Sequence, residues 1–174
     1  MSVIVNKVFN ANIYADGGSL FGMADEVDLP TVKVKESDAH EPLGGIGSIK
    51  YPAGFEPLDG CKIKWNGAYP LAIKKFGNIY QAIKLQVRFN IEQYTGNTRT
   101  GQLPGICYLT VRPQDLQSPK FKAKSNVELE TNLSCSYIKM EIAGEEQYEL
   151  DFEANIYKVG GVDLLATYRS NLGI

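Results

Sequence analysis

From Ile83 to Glu92, apolar and polar side chains alternate at every position. Because successive side chains of a β-strand point to opposite faces of a sheet, this alternation predicts a long strand with one buried and one wet face. Shorter alternating stretches surround Ile13, Val34 and Ile63, so we expect a mainly β chain with largely antiparallel strands. The pattern does not distinguish an ordinary solvent face from the wall of a water-filled interior. The polar residues of the strand are Lys84, Gln86, Arg88, Asn90 and Glu92.

A second long strand is predicted from Val127 to Tyr137, where apolar residues again occupy every other position. The apolar phase then shifts by one residue to Ile138, and a shift of this kind predicts a β-bulge. Residues 143–146 turn the chain into a further alternating stretch. We therefore expect a hairpin shortly before the carboxyl terminus.

Two short helices complete the predicted elements. The first, from Tyr69 to Phe76, has Pro70 where a missing N–H costs nothing and Gly77 at the stop position. The second follows Gly160-Gly161, with Asp163 expected in its first turn, where a negative charge suits the helix dipole. Its apolar residues form one stripe that requires a partner, which indicates self-assembly rather than catalysis. They are Leu164, Leu165, Tyr168 and Leu172.

Size and charge limit the classes of function. A chain of 174 residues suffices for a single domain, and a net charge of −2 argues against constitutive nucleic-acid binding, which needs surplus Lys and Arg. We expect no membrane anchor and synthesis in the cytoplasm. No apolar run approaches the roughly 18 residues of a membrane helix, and the amino terminus lacks a signal-peptide layout. The three cysteines are expected to be reduced core residues: Cys61, Cys107 and Cys135.

Two polar stretches containing Gly and Pro, 36–47 and 94–105, interrupt the strand pattern and are expected to be loops. The first holds the chain's single histidine, and no nucleophile can be paired with it, so no catalytic residues are predicted. Neighbouring side chains on a flexible loop rarely form a complete metal site, so we expect Asp38, His40 and Glu41 to bind no metal ion. The Gly-rich stretch that contains Gly44, Gly45 and Gly47 lacks the lysine and the following helix of a phosphate loop. We therefore expect it to bind no nucleotide or other cofactor.

Several passages resemble the major tail tube proteins of contractile phage tails and R-type tailocins. Residues 157–165 and 168–174 resemble the terminal signature of that family. Residues 136–151 resemble the hairpin that precedes this signature. Near the other end, residues 12–17 resemble the opening strand of the family, residues 27–30 its Leu-Pro step and residues 44–47 its long hairpin. The segment from Gln93 to Gly105 has no counterpart in these passages.

The resemblance implies a β-rich α+β fold in one tail-tube domain, 1–174. Two packed antiparallel sheets, sandwich-like or barrel-like, would carry one short flanking helix and a short carboxyl-terminal helix. Six copies would form a ring whose inner sheets join as one barrel, and the rings would stack into the inner tube of a contractile tail or tailocin. Sheath contraction would drive this tube through the target envelope. The implied partners are further copies of the chain, the sheath protein, and baseplate and tape-measure proteins, with DNA only as a transient passenger.

The resemblance also implies three functional surfaces. It favours the lumen for the polar face of strand 83–92. An inter-ring loop would include Asp38, His40, Glu41, Gly44, Gly45 and Gly47. A subunit interface would include Tyr157, Val162, Leu165, Tyr168 and Leu172.

Other functions stay open from the sequence. A tube protein of a type VI or other contractile injection system would share the ring architecture. A monomeric β-sandwich binding module would instead contact a ligand through the polar face of strand 83–92 or through residues 94–105. An enzyme is disfavoured because no base, metal set or phosphate cradle stands out.

Overall fold

The computed structural model describes residues 3–116 and 118–174, and it confirms the predicted mainly β fold with antiparallel sheets and short helices. The described residues form twelve strands and two helices. The strands are β1 Ile4–Ala15, β2 Gly18–Ser19, β3 Ala24–Asp28, β4 Val34–Glu36, β5 Pro52–Phe55, β6 Leu58–Trp65, β7 Ile83–Thr95, β8 Thr98–Pro113, β9 Leu129–Ile142, β10 Glu145–Asp151, β11 Ile156–Val159 and β12 Val162–Asp163. The helices are α1 Pro70–Lys75 and α2 Ala166–Leu172.

Ten of the strands form one large antiparallel sheet, and β4 pairs with β5 in a small second sheet. The main path runs β12-β11-β10-β9-β8-β7-β1-β2. Strand β9 divides the sheet, because residues 129–135 pair with β6 and residues 137–142 pair with β10. Strand β6 in turn pairs with β3, and their inner side chains share one core with those of β7 and β8. Among the described residues, no strand pairing closes the large sheet into a barrel.

The predicted bulge in β9 is confirmed at Ser136. Strand β8 pairs Val111 with Cys135 and Thr110 with Tyr137, so Ser136 is the extra residue. Its carbonyl oxygen accepts a hydrogen bond of 3.2 Å from the N–H of Phe152. A bulge bends its strand, and this one lies where β9 changes partner from β6 to β10.

The core lies between two parts of the large sheet, the branch formed by β3 and β6 and the strands β7 and β8. Its fully buried members come from every long strand and include Ile63, Leu85, Leu109, Leu133, Ile138 and Leu150. The indole N–H of Trp65 donates to the hydroxyl of Thr131 at 2.9 Å, so both buried polar groups are satisfied. The expectation of reduced core cysteines is confirmed, because all three are buried free thiols. Burial disfavours the thiolate and raises their pKa values, to about 12 for Cys61 and Cys107 and about 11 for Cys135.

The expectation of a loop at 94–105 is wrong. These residues form the distal half of the β7–β8 hairpin, whose register continues from Ile91↔Leu103 to Thr95↔Thr98. The chain reverses at Gly96, which has a φ of 61° that glycine adopts without steric cost. The Gly and Pro content suggested a loop, but pairing on both sides holds the segment extended.

Both predicted helices are present, with one correction. Helix α1 lies one residue inside its predicted range at each end, with Tyr69 and Phe76 as its caps. Helix α2 ends at Leu172, and Gly173, with a φ of 73°, is its left-handed cap. Asp163, however, lies in β12 and not in the first turn of α2. Its carboxylate still serves the helix, because it accepts a hydrogen bond from the N–H of Leu165 at 3.0 Å. Within the described residues, neither helix is long and apolar enough to cross a bilayer.

Candidate assembly surfaces

The outer face of the large sheet is a mainly polar surface that crosses β1, β7, β8, β9 and β10, hereafter the polar face. Gln86 lies between Tyr14 of β1 and Tyr108 of β8. The Arg88 guanidinium lies 4.9 Å from the ring centroid of Tyr14 and donates to Gln86 Oε1 at 3.1 Å. A shallow groove runs along this face, and Lys84, Tyr137, Lys139 and Asp151 are among its lining residues. The predicted polar face of strand 83–92 is therefore one part of a much wider surface.

Several charges on the polar face are paired, either within a strand or between neighbouring strands. Lys139 of β9 binds Glu141 at 2.9 Å and Glu146 at 3.2 Å. Glu149 of β10 accepts hydrogen bonds from the Tyr137 hydroxyl at 2.9 Å and from Lys158 Nζ at 2.6 Å. Burial would raise the pKa of Glu149, but the Lys158 and Tyr137 contacts outweigh it and hold the pKa below its usual value. Basic and acidic side chains thus neutralise one another locally in the part of the face formed by β9, β10 and β11.

Glu92 differs from its neighbours on the polar face because its side chain is covered. Only 5% of the residue is exposed. Its carboxylate accepts hydrogen bonds from the Tyr94 hydroxyl at 2.7 Å and Arg99 Nη1 at 2.9 Å, with Gln102 Nε2 at 3.5 Å. The hydrogen bonds from Tyr94 and Arg99 lower the pKa of Glu92, and they outweigh the opposite effect of burial. The distal hairpin is thus tied together through one carboxylate.

Replacing this carboxylate should change the pH dependence of stability. A lowered folded-state pKa contributes stability above the unfolded pKa and loses it as the pH falls through the folded value. The free energy of unfolding of Glu92→Gln should therefore lie furthest below wild type near neutral pH, and the gap should narrow below the ordinary glutamate value of 4.5. Urea unfolding at a series of pH values measures this gap. The matched control is Glu153→Gln, at an exposed carboxylate, and a gap that stays constant with pH would contradict the prediction.

The carboxyl-terminal helix exposes its apolar stripe. Every residue of α2 is at least partly exposed, although a helix of seven residues is far below the length that is stable alone in water. Arg169 fixes it to the chain by binding the Asp163 carboxylate at 2.5 Å and the Asn155 carbonyl oxygen at 2.8 Å. More than half of each of the following side chains is exposed: Val162, Leu164, Tyr168, Leu172 and Ile174.

The predicted interface residues therefore have different environments. Leu165 and Tyr168 line a cleft with Phe55 and Phe152, so part of the stripe contacts its own chain. Tyr157 is half-buried, with its ring 4.9 Å from that of Phe55 in an edge contact. Val162, Tyr168 and Leu172 are the predicted residues that face solvent. The isolated chain thus leaves an apolar surface uncovered at the end of the sheet.

Residues 34–55 form a β-hairpin arm, hereafter the arm. Strands β4 and β5 form its base, and His40 and Ile49 exchange backbone hydrogen bonds of 2.8 and 2.9 Å further out. The predicted loop residues Asp38, His40 and Glu41 lie on its outgoing side. Among the described residues, no group of three or more His, Cys, Asp or Glu is arranged to hold a metal ion.

The arm ends in a tight turn at residues 42–45. The N–H of Gly45 donates to the carbonyl oxygen of Pro42 at 2.9 Å, and Gly44 has a φ of 80°, as in a type II turn. The turn places Leu43 at its corner, and Leu43 and Ile46 have relative exposures of 107% and 110%. Sequence reasoning weighed the glycines and missed these two aliphatic side chains, although their place in a Gly-rich turn was a usable signal.

An apolar groove of about 390 Å³ lies on the inner face of the sheet, where β3 ends and β1, β7 and β9 continue, hereafter the apolar groove. All of its lining side chains are apolar, and they include Val8, Val27, Phe89, Ile91, Met140 and Ile142. Gly105 pairs with Phe89 across the hairpin, and a Cβ there would lie 2.2 Å from the Phe89 ring. Because Gly105 has no side chain, the Phe89 ring has room to form one wall of the groove. The groove was not predicted, because its strands are far apart in the sequence.

Comparison with known proteins identifies relatives over nearly the whole chain. The model of a family described as phage tail tube protein FII matches residues 5–173. The chain is also 24% identical over 168 residues to a protein of Escherichia phage P2 named tail tube protein, with 94% of each chain covered. The family match includes residues 93–105, which the resemblance of individual passages had left without a counterpart, as well as the arm, the polar face and α2.

Proposed function

We propose a function for this chain from the fact that it belongs to the phage tail tube protein FII family. Six copies close into a ring, and the rings stack into the hollow inner tube of a contractile tail or tailocin. The chain is a structural protein of a phage tail tube and a component of the virion tail. The observation that supports the ring and tube is the combination of an open sheet edge with the polar face on one sheet.

The open edge is that of β1. Among the described residues, β2 pairs with β1 only at Tyr14 and Ala15, and the outer edge from Ile4 to Ile13 has no strand partner. Side-chain amides satisfy two of its N–H groups, since Ala11 donates to Asn10 Oδ1 at 2.8 Å and Ile13 to Asn12 Oδ1 at 2.9 Å. Such an edge recruits a strand of a second copy, and a ring that closes removes every free edge.

The polar face suits the wall of a lumen. Both basic and acidic side chains occur on it, and Lys84, Gln86, Arg88 and Asn90 lie along its β7 strand. A mainly polar surface that carries charges of both signs offers a passing polymer no large apolar patch and no field of a single sign. Glu92 contributes there as part of a pair with Arg99, which lies over it.

The other two surfaces would then join copies. The arm reaches the adjacent ring, and α2 lies at a subunit boundary, with Val162, Leu165, Tyr168 and Leu172 as contacts and Tyr157 supporting them from behind. The mechanism is mechanical: a surrounding sheath contracts and drives the unchanged tube through the target envelope. Baseplate and tape-measure proteins are its further partners, and DNA is a transient passenger in a phage.

A thiol at Lys84 tests the lumen assignment. The three native cysteines are buried, so Lys84→Cys introduces the one accessible thiol. A maleimide on a long polyethylene glycol should label the monomer and leave sedimented tubes unlabelled, whereas a small maleimide should label both. The small reagent separates enclosure in a lumen from burial in an interface. Tubes that react with the large reagent at the monomer rate would contradict this assignment.

A further inference from the structure

The tip of the arm and the apolar groove are two of the apolar features that have no partner among the described residues of their own chain. We propose that the tip inserts Leu43 and Ile46 into the apolar groove of a second copy of this chain. The inference rests on the proposed tube function and specifies it further, because it assigns a receptor for the arm in the adjacent ring.

The tip is shaped for insertion. Its turn is fixed by the hydrogen bond from Gly45 to Pro42, and a Cβ at Gly45 would lie 2.9 Å from the Pro42 ring. Leu43 is therefore displayed by an ordered turn, which lowers the entropy lost on binding. Both aliphatic side chains extend fully into solvent, and exposed aliphatic surface is unfavourable in water.

The groove matches the tip in chemistry. Its walls are entirely apolar, and residues 42–48 of the tip are uncharged, so no charge loses water when they meet. Its volume of about 390 Å³ accommodates two four-carbon side chains. Val8 and Phe89 still contact solvent in the isolated chain, so an occupant would bury apolar surface on both partners.

A second copy is the occupant that the geometry favours. An apolar knob and an apolar pocket at different places on one chain make a heterologous contact, which repeats from copy to copy and extends a filament. Helix α2 is the competing apolar feature, but Leu165 and Tyr168 already line a cleft with Phe55 and Phe152 of their own chain. The side chains of the tip, in contrast, are fully exposed.

Disulfide trapping between two single-cysteine variants tests this contact. Leu43→Cys and Val8→Cys are mixed, one with a size tag, allowed to assemble, and oxidised. The new thiols are on different chains and the native thiols are buried, so a mixed dimer reports a contact between copies. The control pairs Leu43→Cys with Tyr80→Cys, which is exposed but outside the groove. A third pair joins Val8→Cys with Leu172→Cys to sample the helix.

The inference predicts a mixed dimer of Leu43→Cys with Val8→Cys in the tube fraction, well above the control pair. Tubes that form without this dimer, or that trap Val8→Cys with Leu172→Cys instead, would overturn the inference and leave the tube function standing. If the unmodified chain forms no tubes either, the proposed function fails, and the inference fails with it.

A charge at the tip gives an independent measurement. Leu43→Asp with Ile46→Asp should raise the critical concentration for tube growth by more than about tenfold, because two aliphatic side chains no longer enter the groove. The midpoint of thermal unfolding of the monomer should stay at the wild-type value, since both residues are exposed. Phe121→Asp, at another exposed apolar residue, is the matched control. Equal critical concentrations for the tip and control variants would overturn the inference.

Discussion

A chain that ends at Gly160 is expected to stay monomeric at concentrations where the full chain forms tubes. The deletion removes β12 and α2, and with them the exposed stripe of Leu164, Tyr168 and Leu172. These side chains are already close to half buried in the isolated chain. Covering their exposed part against a neighbour contributes about 1 kcal/mol each, and every subunit in a ring would lose that contribution. Tube formation is therefore predicted to disappear, not merely to slow.

The fold itself should survive this truncation. The ion pair between Arg169 of α2 and Asp163 lies wholly within the deleted segment. The hydrogen bonds that cross to the retained chain include those from Leu164 to Tyr157 and from Arg169 to Asn155. Sedimentation velocity measures assembly, and thermal unfolding followed by circular dichroism measures the monomer.

Point variants separate the apolar stripe from the mere presence of the helix. Tyr168→Ser with Leu172→Ser should also prevent tube growth, while Ser170→Ala with Asn171→Ala, on another face of α2, should not. A chain ending at Gly160 that still polymerises into tubes of normal diameter would show that this helix does not hold the subunits together.

Adding one methyl group at Gly105 is expected to destabilise the protein by about 1–3 kcal/mol, the cost of overpacking a closely packed site. The new Cβ would lie 2.2 Å from the Phe89 ring, which must leave its position over the hairpin. Because Phe89 is a wall of the apolar groove, the same change should also weaken assembly. Urea unfolding of Gly105→Ala measures the first effect, and the critical concentration for tube growth measures the second.

Gly47→Ala is the matched control for this change. A Cβ at Gly47 meets no described atom within 4 Å, so the same chemical addition should leave the free energy of unfolding within about 0.5 kcal/mol of wild type. If Gly105→Ala proves as stable as Gly47→Ala, the close packing of Phe89 on Gly105 is wrong.

The elements that depend on local pattern were predictable from the sequence. Strand β7, the bulge at Ser136, the hairpin turn at 143–144 and helix α1 all follow from periodicity or from single Gly and Pro positions. The family resemblance, carried by the terminal passage above all, is confirmed by the match over residues 5–173. What failed was the segment 94–105, where Gly101, Pro104 and Gly105 suggested a loop. Cross-strand pairing with β7 outweighs those residues.

The assembly surfaces were predictable only in part, because the sequence shows patterns along the chain but not which strands pair. The polar side chains of β7 and the stripe of α2 are visible as patterns along the chain. The burial of Glu92 is not visible, because Tyr94, Arg99 and Gln102 cover it from a hairpin that the sequence had suggested was a loop. The apolar groove is assembled from β1, β3, β7 and β9, so its existence depends on the sheet order.

Negative-stain electron microscopy of the purified protein across a concentration series reads out self-assembly itself. We expect rings with a central hole in end views and striated hollow tubes in side views, with both becoming more abundant as concentration rises. Uniform single subunits at every concentration, without rings or tubes, would contradict the assembly of this chain into a tube.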